Sequence, residues 1–206
     1  LLKKYVPDKK HKEAPHITRL EARLLETPAI GIEQSRVEIL RMGASCVKMM
    51  DKLEAIFADP EGDHDARIKK LFHREEVLDI IQKEIVDYLT ELLADDATHQ
   101  IVDDGTMQIR MADELESVSD YISNILKLHL RLHNDGQTLG TGEMKTILEL
   151  HAEATAYMTM VLEGYSVRNR DIVSKAKTEG DAITHHIRTA REAHLAGITG
   201  ERVSPL

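Results

Sequence analysis

The chain has 206 residues, 42% hydrophobic and only 3% aromatic, with no Trp, one Cys and a formal net charge of -9. That length suits one domain or two small ones. A core without aromatics must be built from Leu, Ile, Val, Met and Ala, which favours helix packed on helix. The acidity argues against nucleic acid as a partner. Cys46 is the only cysteine, so an internal disulfide is excluded and a reducing compartment is expected. No apolar run approaches the ~18 residues needed to cross a bilayer, and no signal peptide is visible. A chain that opens Leu1-Leu2 without Met reads as a piece of something longer.

Residues 1–26 show no sustained period. Lys3, Lys4, Lys9, Lys10 and Lys12 crowd against Asp8, and Pro7 and Pro15 discourage a helix. The segment reads as a basic linker, either a solvated tail or the kind of stretch that collects just inside a membrane. Thr27-Pro28 is an N-cap followed by Pro at the first helical position. A first helix is expected from there to Phe57, with Ile32, Ile39, Met42, Cys46, Met49 and Leu53 on its apolar side. The run Asp59-Pro60-Glu61-Gly62-Asp63 breaks it.

A second helix is expected from Asp65 to Leu93 on a stripe of Leu71, Leu78, Ile85, Leu89 and Leu92. After a break from Asp95 to Gly105, a third spans Thr106 to Leu132, and Asn134-Asp135-Gly136 ends it. Three helices joined by short loops make an antiparallel bundle over residues 27–134. The pattern then restarts over residues 138–206. A fourth helix, Glu143 to Tyr165, carries Met144, Leu148, His151, Met158 and Leu162. A fifth, Arg168 to Leu195, carries Ile172, Ala176, Ile183, Ile187 and Ala190. Ser204-Pro205 offers another helix start. A two-helix hairpin leaves an apolar seam uncovered, so the second half reads as a three-helix bundle lacking its last member, or completed by a partner chain.

The chemistry-bearing feature is Glu116-Ser-Val-Ser-Asp120-Tyr-Ile-Ser-Asn124-Ile. At about 100° per residue, Glu116, Asp120 and Asn124 share a face, projected away from Leu115, Val118, Ile122 and Ile125. Stacked acids repel slightly, so the arrangement calls for something positive over them. Glu75 and Asp79 repeat the spacing on the second helix. Four carboxylates in one patch would favour hard cations with oxygen ligands, whereas acid pairs four apart are also common on solvated faces.

The eleven histidines make a weaker case for a site. His185 and His186 point about 100° apart. His129 and His151 lie on apolar stripes, as partly buried rings do. The Glu-x-x-His spacing of di-iron bundles falls on none of the expected helices; Glu61 and His64 carry it in a loop. Phosphate-loop, dinucleotide, nucleophile-elbow and Cys-x-x-Cys motifs are absent. Cys46 reads as a small buried hydrophobe. Gly164 and Gly180 interrupt helical patterns, as at close helix approaches.

Leu115-Glu116-Ser-Val-Ser-Asp120-Tyr-Ile-Ser-Asn124-Ile125 resembles the Leu-Glu-Arg-Ile-Gly-Asp-x-x-x-Asn-Ile segment of PhoU domains, which are pairs of three-helix bundles. The family repeats Glu/Asp-x-x-x-Asp on the second and third helix of each bundle. Glu75/Asp79 and Glu116/Asp120 match it. In the second half Lys177 stands where an acid would lead Asp181, a departure that tells against a second cluster. Leu25-Glu-Thr-Pro28-Ala29-Ile-Gly-Ile-Glu33-Gln34, Glu38-Ile-Leu-Arg41-Met42, Arg191-Glu192-Ala-His194-Leu195 and Val203-Ser204-Pro205 are similar to segments of bacterial sodium/phosphate cotransporters that carry a C-terminal PhoU-like domain.

The resemblance implies an all-α fold of tandem antiparallel three-helix bundles, the second without its last helix. It implies a cytoplasmic, non-enzymatic regulatory module at the membrane. The module would work with the transmembrane region of its own transporter, could form homo-oligomers, and could hold iron, zinc or another divalent metal at Glu75, Asp79, Glu116 and Asp120. The alternatives are a free-standing PhoU-like regulator and a di-iron-type enzyme.

Overall fold

The computed structural model describes residues 27–60, 62–94, 98–137 and 139–201, with side chains as far as residue 196. They form five α-helices: α1 (Pro28–Phe57), α2 (Asp65–Leu93), α3 (His99–Asn134), α4 (Thr141–Ser166) and α5 (Ile172–Glu201). No strand occurs among the described residues. The expected all-α class holds. The basic N-terminal segment, Glu61 and Val203–Leu206 lie outside the described residues.

The α1 and α2 bounds match those expected. Each apolar residue assigned to the first two stripes, from Ile32 to Leu53 and from Leu71 to Leu92, is buried. The α3 start does not match, because the helix begins at His99 and runs straight through Gly105. Gly105 is a close-approach residue here, not a breaker. A Cβ built on it would stand 2.9 Å from Leu93 Cδ1, so its lack of a side chain lets α2 and α3 converge.

The α3 terminus is a paired closure. The Gln137 N–H donates to Leu132 O at 2.9 Å and the Gly136 N–H to His133 O at 3.0 Å, with Gly136 at φ 67. The same closure ends α4. The Asn169 N–H donates to Gly164 O at 2.9 Å and the Arg168 N–H to Tyr165 O at 3.2 Å, with Arg168 itself at φ 53. Arg168, expected to open the fifth helix, therefore closes the fourth, and α5 starts at Ile172.

The chain divides into two compact units. One takes the described part of Leu1–Met42 together with His73–Ser117; the other takes Gly43–Phe72 with Val118–Leu206. In the first unit, Gly31 on α1 sits against Tyr88 and Leu92 near the α2 C-terminus, so these helices run antiparallel. The Gln108 side chain donates to Ile32 O at 3.1 Å, tying α3 to α1 in the interior. Gln82 Nε2 donates to Asp113 Oδ1 at 2.6 Å, tying α2 to α3 at the surface.

In the second unit, the Phe57 and His129 rings lie 4.8 Å apart between α1 and α3. The α4 helix lies along the second half of α1. A Cβ at Gly43 would run into Leu162, and His151 Nε2 lies 3.1 Å from the Met50 carbonyl oxygen. The α4–α5 hairpin closes over Gly164, where a Cβ would meet the Ile172 side chain, including its Cβ at 2.7 Å. Glu153 pairs with His186 at 3.0 Å and Glu143 with His194 at 2.8 Å farther along it. The hairpin seam is thus covered in part by α1, which the linear pattern could not show.

Candidate functional site

The four acids lie on the two helices expected to carry them, Glu75 and Asp79 on α2, Glu116 and Asp120 on α3. Each is half-buried. Glu75, Asp79 and Glu116 belong to the first compact unit, while Asp120 begins the next turn of α3 in the second.

The buried face of α3 differs from the projected one. Gln108, Ala112, Leu115, Ser119, Ile122, Ser123 and Leu126 are buried, whereas Val118 is half-buried and Ile125 is 45% exposed. The face is therefore centred near Ser119. At about 100° per residue, Glu116 and Asp120 flank it instead of lying opposite. Two serines, both fully buried, occupy positions that a hydrophobic pattern skips, and this displaced the projection.

A lysine stands beside two of the four acids. Lys83, one turn after Asp79, places Nζ 2.8 Å from Asp79 Oδ2. Its ammonium is held protonated above the usual lysine range, first by the hydrogen bond it donates to Asp79, then by the charge of Asp79, with Glu116 on α3 adding to it. Lys83, Asp79 and Glu116 are thus one electrostatic group within a single unit. The Lys83 side chain is 66% exposed and can swing away. Among the described residues, no three His, Cys, Asp or Glu side chains close on a common point. Of the residue types that could hold a metal here, oxygen donors dominate, and these suit hard cations. Sequence reasoning missed Lys83. An i,i+4 Asp–Lys pair is visible in the sequence, but Glu116 beside it is a tertiary fact.

The histidines behave as ordinary structural groups. His64 is 7% exposed, with Nε2 at 2.5 Å from Asp59 O and Nδ1 at 2.9 Å from Arg67 NH1. Both ring nitrogens are thereby held, Nε2 at a backbone carbonyl oxygen and Nδ1 at a guanidinium. His129 has a lowered pKa, chiefly from burial and then from His133 and His64. Cys46 is buried and forms no disulfide, and desolvation pushes its thiol up to about 12.

These features define a helical-bundle protein with an acidic, lysine-capped surface on α2 and α3. The family model for the PhoU domain matches residues 39–128, which supports a PhoU-like domain over that stretch and encloses all four acids. No curated protein and no solved structure matches the chain. No described helix is long and apolar enough to cross a membrane.

Proposed function

We propose that this chain is a regulatory PhoU-like module in phosphate homeostasis, acting on the cytoplasmic face of a sodium-dependent phosphate transporter and binding a metal ion through Glu75, Asp79, Glu116 and Asp120. The observation that carries the reading is the PhoU match over 39–128, because it spans both acid-bearing helices. The sequence-level division into a linker, a first bundle over 27–134 and a second over 138–206 belongs to the same proposal. A free-standing regulator of the same class fits the PhoU match equally well.

The acids would hold the ion and supply negative charge. Lys83 would be displaced, since an ammonium and a divalent cation compete for the same Asp79 oxygen. Binding to the folded state alone raises stability by RT ln(1 + [L]/Kd), ~2.7 kcal/mol at a hundredfold excess over Kd. Metal-stripped protein should therefore melt lower than protein resupplied with iron, zinc, manganese or magnesium, and Lys83→Met should tighten binding of whichever ion acts. An unchanged melting temperature across all four ions removes the metal role. The regulatory role has a separate test, phosphate uptake by cells carrying the intact gene. Asp79→Ala should alter sodium-dependent uptake at equal protein level, and unaltered uptake would contradict it. Fractionation separates the two contexts: the transporter reading places the protein in the membrane fraction.

A further inference from the structure

Three buried oxygen atoms of the first compact unit, Ser35 Oγ, Tyr88 Oη and Gln108 Oε1, have no hydrogen-bond partner among the described residues. Ser35 is fully buried, Gln108 is 2% exposed and Tyr88 8%. All three meet α1 within the stretch Gly31–Ser35. Tyr88 on α2 brings its hydroxyl against Gly31, where a Cβ would stand 2.7 Å from it. Gln108 on α3 donates from Nε2 to Ile32 O at 3.1 Å, which leaves Oε1 as its spare acceptor. At about 100° per residue, Ser35 projects between Gly31 and Ile32, and so into the interior between α2 and α3.

A buried hydroxyl or amide oxygen left bare carries its full desolvation penalty, and three beside one turn of one helix compound it. Their chemistry suits a small ligand that both donates and accepts. The two hydroxyls can do either, while the amide oxygen only accepts. Burial raises the Tyr88 pKa, so that hydroxyl keeps its proton. A cation does not fit. All three groups are neutral, and Glu38, the buried carboxylate one turn further along α1, is already paired with Arg41. Water donates and accepts, and a buried water typically makes about three bonds to such groups.

We propose that the first unit binds an internal water between α1, α2 and α3, bridging Ser35 Oγ, Tyr88 Oη and Gln108 Oε1. The water accepts from a hydroxyl and donates to the Gln108 amide oxygen, so one molecule ties the three helices together. Gly31 makes the site possible, because a side chain there would take the place of the Tyr88 hydroxyl.

A crystal structure of the full chain at high resolution should show one ordered water within ~2.7–3.2 Å of at least two of the three atoms. Tyr88→Phe and Ser35→Ala should each lower the melting temperature by about 2–4 °C, as the loss of one made hydrogen bond does in a chain of this size. The double variant should melt little below the lower single variant, since both substitutions disrupt the same bridge. A crystal in which the three side chains bond directly to one another, or hold no water between them, overturns the proposal. So do fully additive losses in the double variant. So does Tyr88→Phe melting at or above the native temperature, as removal of a bare hydroxyl would.

Discussion

The first three helices and the last two have similar patterns of apolar residues but opposite degrees of burial. Along α1, α2 and α3, Ile39, Met49, Leu71, Ile85, Leu89 and Leu126 are fully enclosed. In α4 and α5, Gly164 is the only buried residue among those described. Ile187, Val173 and Leu195 on α5 are more than half exposed. Periodicity reports which face of a helix is apolar; it does not report whether anything covers that face. The stripes of the first three helices are enclosed, while the last two helices are held by a glycine contact, by α1 and by exposed His–Glu pairs.

The largest expected effect breaks the contrast directly. Leu126→Ala should destabilise by about 2–5 kcal/mol, the range for an enclosed large-to-small change. Ile187→Ala should shift stability by no more than ~0.5 kcal/mol. Denaturant midpoints of the two variants give the comparison, and similar losses would erase it.

Next in size is Gly164→Ala. The new methyl would press on the β-carbon and γ-branch of Ile172, atoms close to the backbone that yield poorly. A cost of about 1–3 kcal/mol is expected, whereas Gly142→Ala, with nothing within 4 Å of its Cβ, should be benign. Thermal melts of the two decide whether the hairpin turn is tightly packed.

A smaller effect is pH-dependent. Burial, with His133 and His64 nearby, lowers the His129 pKa from its ordinary value of 6.5. The unfolded chain therefore takes up the proton first, and stability should fall as pH drops below 6.5 towards the folded value, with no such loss above it. His129→Gln should flatten that slope in denaturant titrations at stepped pH. The smallest effect belongs to the hairpin surface. The His186–Glu153 pair has side chains 32% and 43% exposed, so His186→Ala should change stability by about 0–1 kcal/mol, and less in high salt.

Much of this architecture was legible in the sequence. Thr27-Pro28 and the Asp59–Asp63 run bounded α1 and α2, because caps and breakers act locally. The α3 start was not legible, because Gly105 serves helix approach and looks like a breaker only in one dimension. The α5 start was hidden because Arg168 takes a left-handed conformation that Gly usually supplies. The buried face of α3 was misplaced because Ser119 and Ser123 lie in the interior as polar residues. The four acids could be named from spacing and family resemblance. Their electrostatic link through Lys83 to Glu116 required two helices in register.

Native-state hydrogen exchange tests the central contrast most directly. Backbone amides of Leu89, Ala112 and Leu126 should exchange only through global unfolding, with free energies equal to the denaturant value. Amides along α5, from Ala182 to Ala193, should exchange through local opening at clearly lower free energy. If the α5 amides are as protected as those of Leu89, Ala112 and Leu126, the contrast between the two regions collapses.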